Sequence, residues 1–169
     1  MQSSYKRSES FITQAVPALL TLVTALLSVV PFRILGYTEL TPAFTLMSVF
    51  YWCVYWPGSL PYTFLFVLGL LQDALTGMPM GMSSLLLVLL AYIIDTQRRL
   101  MGRAVFGTVW GTFALMAALT TMAQWSIMCL YYSKTYDHML PFTRWVASCI
   151  TYPLMHLLLT YIYKHLRVK

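Results

Sequence analysis

The sequence has little charge: Asp, Glu, Lys and Arg together make up 9% of its 169 residues, against about 25% in ordinary soluble chains. Apolar side chains make up 59%, and the mean hydropathy is +0.70. This composition excludes a soluble monomeric domain, because the surface of such a domain would be apolar. It also excludes a disordered chain, because disordered chains are poor in aromatic residues and 15% of this chain is aromatic. The sequence predicts an all-α integral membrane protein with one domain over residues 1–169.

The sequence also lacks the motifs of common active sites. It contains no H-E-x-x-H, no G-x-S-x-G and no phosphate-binding loop, so we predict no enzyme activity and no cofactor. The three cysteines lie far apart and form no C-x-x-C pair, so we predict no metal site. The net charge is +6, but the basic residues lie between apolar segments. That pattern indicates membrane topology and not nucleic-acid binding.

Long stretches without charge mark the candidate membrane spans, because a spanning helix needs about 17–25 mainly apolar residues. The stretch 40–72 is too long for one helix, and the Pro-Gly-Ser-Leu-Pro sequence at 57–61 divides it. Six spans are therefore predicted, and the alternative is four spans plus a helical hairpin over 42–76 that enters and leaves on one side. The predicted spans are 11–30, 42–56, 61–76, 79–96, 104–132 and 140–163.

The distribution of Lys and Arg predicts that both termini are cytoplasmic, because cytoplasmic loops carry the excess of these residues. In this orientation only Arg33 and Lys134 fall in outer loops. The loop after the fourth span is expected to meet anionic lipid or cytoplasmic partners. Its basic residues are Arg98, Arg99 and Arg103.

Charged residues inside a span are costly and need a physical reason. Asp73 lies near the end of the third span and Arg144 near the start of the sixth, both close to the outer boundary. Either the two form an ion pair between helices, or each reaches the outer surface separately. Gly107 and Gly111 form a G-x-x-x-G motif in the fifth span, which predicts a close-packing face within the chain or toward a partner.

The segment 69–81 combines this carboxylate with a tight turn. Gly69 permits close packing one helical turn before Asp73. Gly77 can adopt positive φ and end the helix, and Pro79 is expected to start the next one. Gly81 would let the first turn of that helix lie close to a neighbour. The sequence therefore predicts a tight outer turn with a carboxylate fixed beside it.

This segment resembles the rod-shape-determining protein MreD family of bacterial inner membranes. The resemblance rests on an apolar helix that ends in G-x-x-x-D (Gly69 to Asp73), a short glycine-containing turn, and x-G opening the next apolar helix at Gly81. The chain length, the number of spans and the basic C-terminal tail also match. Gln72 departs from the family, where many members have an apolar residue.

The resemblance implies a multi-pass protein of the bacterial inner membrane that acts as a non-enzymatic scaffold in cell elongation and lateral peptidoglycan synthesis. The implied partners are the bitopic membrane protein MreC, the actin-like filament protein MreB, the elongation-specific wall polymerase and transpeptidase, and membrane lipids. The implied fold is similar to the substrate-binding subunits of energy-coupling vitamin importers. A small-molecule binding subunit of a transporter is therefore the alternative function.

Overall fold

The computed structural model describes the backbone of residues 2–29, 42–101, 106–133 and 139–167, and the side chains of 15–29, 42–97, 106–133, 139 and 141–164. Within these ranges the structure consists of six α-helices without a β-strand. Their bounds lie within a few residues of the predicted spans at most ends, but α1 begins much earlier than predicted. The helices are α1 (Gln2–Val29), α2 (Phe44–Tyr55), α3 (Tyr62–Thr76), α4 (Met82–Met101), α5 (Phe106–Tyr132) and α6 (Met139–Arg167).

The shortest helix, α2, lies at the centre of the bundle. It contacts α1, α4, α5 and α6, and nine of its 12 residues are buried. A helix of this length spans about 18 Å, which is less than the roughly 30 Å of a hydrocarbon core. The longer helices around it therefore shield α2 from the surroundings.

The consecutive helices α2 and α3 do not pack against each other within the described residues. Instead, α3 packs on α4 and α1. The expectation that 42–56 and 61–76 pair as the two arms of a hairpin is therefore wrong. The physical reason is that the small residue Gly69 lets the backbone of α3 approach the backbone of α4 closely.

Hydroxyl groups that are buried or half-buried connect α2 to α1. The hydroxyls of Thr21 (α1) and Ser48 (α2) lie 3.1 Å apart. The Thr45 N–H and hydroxyl both donate to Ser28 Oγ, at 3.2 and 3.1 Å. Hydrogen bonds of this kind are a main attraction between helices in lipid, where apolar burial gives little driving force.

Proline inside α6 creates a backbone defect that a tryptophan from α5 repairs. Pro153 has no N–H to donate to the carbonyl of Cys149, four residues earlier. The indole N–H of Trp110 donates to this carbonyl oxygen at 3.1 Å. In lipid a backbone carbonyl without a donor costs several kcal/mol, on the order of 2–7, so the contact stabilises both α6 at its proline and the pairing of α6 with α5.

The outer surface of the bundle is apolar, as lipid requires and water does not favour. Leu130, Ile150 and Tyr161 are each more than 70% exposed. Among the described residues, Phe106–Tyr132 and Pro141–Lys164 are long and apolar enough to cross a membrane. Four shorter apolar helices accompany them: Ala15–Val29, Phe44–Tyr55, Tyr62–Thr76 and Met82–Gln97.

Candidate functional site

The α3–α4 pair is held together by a very close contact between Gly69 and Ser84. A methyl group placed on Gly69 would overlap the backbone N and Cα of Ser84. The Ser84 hydroxyl donates to the carbonyl oxygen of Phe66 at 2.8 Å, one turn earlier on α3. A small residue and a hydroxyl thus bring the two helix backbones into contact.

Two glycines shape the turn 77–81 that joins these helices. Gly77 has φ +68°, and its N–H donates to the carbonyl oxygen of Asp73, which ends α3 in the usual left-handed manner. Gly81 has φ +94°, also in the region that favours glycine. The turn therefore reverses the chain within five residues.

The Asp73 carboxylate holds the start of α4 and is completely buried. The Gly81 N–H donates to Oδ2 at 2.9 Å. The Ser83 N–H lies 3.1 Å from both carboxylate oxygens. Backbone N–H groups at a helix N-terminus carry partial positive charge, which favours a carboxylate there. This network satisfies the buried charge and ties the end of α3 to the beginning of α4.

The position of Pro79 differs from the prediction. The predicted span begins at 79, but α4 begins at Met82. Pro79 lies within the turn, and its carbonyl oxygen accepts from the Met82 N–H at 3.2 Å. The helix cannot begin earlier because Gly81 has positive φ. Pro79 therefore restricts the turn and does not occupy the first helical position.

Arg144 and Asp73 do not come together. The helices that hold them, α6 and α3, make no contact within the described residues. Arg144 is half-buried, and its Nη1 donates to Gln124 Oε1 of α5 at 3.4 Å. Of the two alternatives left open by the sequence, the ion pair does not form. Arg144 connects α5 and α6 through its bond to Gln124.

The remaining predicted residues lie elsewhere. Gly107 and Gly111 are exposed on α5, and a methyl group on either would meet nothing within 4 Å. The two glycines of the G-x-x-x-G motif therefore make no close contact with another described part of this chain. Arg103 lies outside the described residues, as do the side chains of Arg98 and Arg99.

An aromatic cluster between α2 and α6 was not predicted from the sequence, and His156 of α6 belongs to it. Its Nε2 lies 3.1 Å from the Tyr55 hydroxyl. The Tyr51 hydroxyl donates to Thr160 Oγ1 at 3.1 Å. The sequence shows the Tyr and His residues of α2 and α6, but it does not show that the two helices run side by side. Their pairing depends on that arrangement. No group of three or more His, Cys, Asp or Glu residues that could hold a metal ion occurs among the residues whose side chains are described.

An apolar groove of about 580 Å³ runs along the outer face of α3 and α4. It extends from Tyr62 at the start of α3 to Gly81 at the start of α4, so it follows the length of the pair. Phe66 is 50% and Leu85 60% exposed within it. Its lining consists of Tyr62, Phe66, Gly81, Ser84, Leu85, Val88, Leu89 and Tyr92.

These features define a helical membrane protein whose buried polar groups bind its own helices together. A family model described as rod shape-determining protein MreD matches residues 8–162. The chain belongs to the MreD family, which confirms the resemblance found in the sequence. No curated protein and no solved structure matches the chain, so the similarity to vitamin-importer subunits stays a prediction.

Membership of the family implies a role in rod shape determination. The family is a membrane-associated, shape-determining structural component that works with the MreB and MreC machinery, and it is not a known enzyme family. The α3–α4 pair, with its turn and groove, is the candidate functional site.

Proposed function

We propose that this chain is a non-enzymatic, multi-pass scaffold of the bacterial inner membrane that organises the cell-elongation machinery for lateral peptidoglycan synthesis. Its direct partner is an MreC-like bitopic protein. Through that complex it meets the actin-like MreB filament and the elongation-specific wall polymerase and transpeptidase. Its termini lie in the cytoplasm, and the basic residues at 98–103 and in the C-terminal tail face anionic lipid there.

The observation that carries the proposal is the packing of the bundle core. The ring of Phe113 (α5) stacks on that of Tyr152 (α6) with centroids 4.1 Å apart. Phe50 of α2 meets both rings edge-on, at 5.4 and 5.9 Å. All three side chains are at most 1% exposed. These rings occupy the space where α2, α5 and α6 meet, which favours a scaffold over a subunit that encloses a vitamin-sized ligand there.

The α3–α4 groove is the surface we assign to the partner. Among the described residues, α3 also contacts α1, and α4 also contacts α2 and α5. These contacts leave the outer face of the groove open to lipid. A bitopic partner crosses the membrane as one apolar helix, and such a helix fits a groove that follows a helix pair. Gly81 in the lining, which has no side chain and is partly exposed, allows close approach of a second backbone.

Site-specific photo-crosslinking in cells tests this assignment. A photoreactive amino acid replaces Leu85, which is 60% exposed in the groove, or Leu115, which is 59% exposed on α5 outside it. The two positions have equal access to lipid, so any difference reports a partner. We expect an adduct with the MreC-like protein from position 85 and none from position 115.

Equal adducts at both positions, or none at either while the chain is folded in the membrane, would contradict the assignment of the groove. A parallel mild-detergent purification tests the scaffold function itself, with proteomics and small-molecule mass spectrometry on one eluate. Wall synthases and the bitopic partner are expected. A stoichiometric small ligand without these proteins would instead favour the transporter alternative.

A further inference from the structure

A second, smaller pocket lies at the opposite end of the α3–α4 pair from the turn 77–81. It has a volume of about 150 Å³, equal to roughly five water molecules at about 30 Å³ each. The end of α2, the connection 56–61 and the middle of α4 form its walls. Its lining includes Trp56, Ser59, Tyr62, Ala91 and Asp95.

Two features place negative charge at this pocket. The carboxylate of Asp95 lies in its wall and accepts a hydrogen bond from the Tyr62 hydroxyl at 3.2 Å. A carboxylate accepts several hydrogen bonds at once, so the interactions of Asp95 within the chain do not exclude a ligand as a further donor. In addition, α2 ends at Tyr55, and the carbonyl groups at a helix C-terminus carry partial negative charge. Both features favour a cationic ligand.

The hydroxyl of Ser59 provides an independent indication of a ligand. Ser59 is only 3% exposed and lines the pocket. Its Oγ is buried and has no hydrogen-bond partner in the described structure. Buried hydroxyls normally have a partner, because an unsatisfied one loses the free energy of its hydrogen bond to water. A ligand that donates an N–H would supply the missing partner.

The polar groups select the type of cation. Asp95 and Ser59 both accept hydrogen bonds, which a primary ammonium group donates and a trimethylammonium group cannot. The rings of Trp56 and Tyr62 lie in the lining and can attract the same charge through their faces. The volume accommodates an ammonium group with a two-carbon stem. A metal ion is less well matched, because Asp95 is the sole carboxylate among the described residues of the lining.

The location indicates the source of this ammonium group. Trp and Tyr are typical of the membrane–water interface, and the pocket lies where α2 ends and α3 begins. The ring of Tyr163 packs on Trp56 at 5.3 Å, and the next residue, Lys164, is exposed. A lysine that follows a residue packed on the pocket wall suits a zwitterionic head group, whose phosphate lies a few ångströms from its amine.

We propose that this pocket binds the ammonium head group of an aminophospholipid, phosphatidylethanolamine, from the leaflet on the side of the connection 56–61. The binding site is separate from the partner groove and does not depend on it. Bound lipid would fill the space below the connection, satisfy Ser59 and fix the ends of α2, α3 and α4 relative to each other.

Native mass spectrometry of the purified full chain tests the proposal. The protein is mixed with equal amounts of phosphatidylethanolamine, phosphatidylcholine and phosphatidylglycerol that have identical acyl chains. We expect the wild-type protein to retain about ten times more phosphatidylethanolamine than phosphatidylcholine. This ratio corresponds to one charge-assisted hydrogen bond. Asp95→Asn should abolish this preference and Ser59→Ala should reduce it several-fold. Thr96→Val is the control, since Thr96 adjoins Asp95 but does not line the pocket.

Equal retention of the three lipids by wild type would overturn the proposal, and so would an unchanged preference in both pocket variants. Carbodiimide coupling in native membranes identifies the source of the amine, because it joins a carboxylate to an amine in contact with it. An Asp95 peptide that carries phosphatidylethanolamine supports the proposal. An Asp95 peptide joined to a lysine of another protein overturns it in favour of a protein ligand.

Discussion

The contact between Trp110 and the proline defect of α6 leads to a sharp prediction. Trp110→Phe removes the indole N–H that reaches the Cys149 carbonyl at 3.1 Å. Pro153 cannot replace it, so the carbonyl loses its donor at a cost of about 1–3 kcal/mol. In a Pro153→Ala background the N–H of residue 153 returns, and the same tryptophan change costs only the lost ring contact. We expect a coupling free energy of about 1–2 kcal/mol between the two substitutions.

The coupling is measured as a double-mutant cycle of unfolding free energies in mixed micelles, followed by the circular dichroism of helices. Trp145→Phe provides the matched control. Its indole N–H donates to the Ala114 carbonyl at 2.9 Å, but that carbonyl lies in an unbroken stretch of α5 and keeps its helical donor. Trp145→Phe should not couple to Pro153→Ala. A coupling below about 0.5 kcal/mol for Trp110 would refute the reasoning, because values that small also occur between independent sites.

Two further predictions concern the α3–α4 pair. Asp73→Asn keeps one acceptor oxygen but loses the charge and the second acceptor at the start of α4, so we expect it to lower the unfolding free energy by about 1.5–3 kcal/mol and to weaken recovery of the MreC-like partner. The control is Asp95→Asn, which affects an exposed hydrogen bond. It should lower the unfolding free energy by less than about 1 kcal/mol and leave partner recovery unchanged. Equal losses in the two variants would argue against a special role for Asp73. Gly69→Ala forces the backbones of α3 and α4 apart and should cost about 1–3 kcal/mol. Gly111→Ala, where a methyl group meets nothing, should leave thermal stability unchanged, and similar melting shifts for both would contradict the close contact.

The ends of α3 were predictable because local chemistry determines them. Pro61 precedes the helix and Gly77 follows it in the left-handed conformation, and both signals are visible in the sequence. The start of α4 was placed too early because proline and glycine each permit a helix start there. Only the structure shows that Gly81 has positive φ, which excludes it from the helix.

The partners of the buried charge were not predictable from the sequence. A search for an opposite charge pointed to Arg144, whereas Asp73 binds two backbone N–H groups. Backbone donors are present at every residue and give no compositional signal, so their use depends on the geometry of the turn. The same limit applies to Trp110, which lies 39 residues from the carbonyl that it satisfies. The sequence shows the proline but not the helix that repairs the defect.

These contacts have a common physical basis in the weakness of apolar attraction between helices in lipid. A membrane scaffold has to hold its shape through small residues at close contacts and through internal hydrogen bonds, and Gly69, Asp73 and Ser84 supply both in the α3–α4 pair. The same pair forms the groove that we assign to the partner. The outer face of the α3–α4 pair can remain apolar and open because the contacts between the two helices stabilise the pair. The shape of the groove therefore depends on the Gly69 contact, so a change there affects partner binding as well as folding.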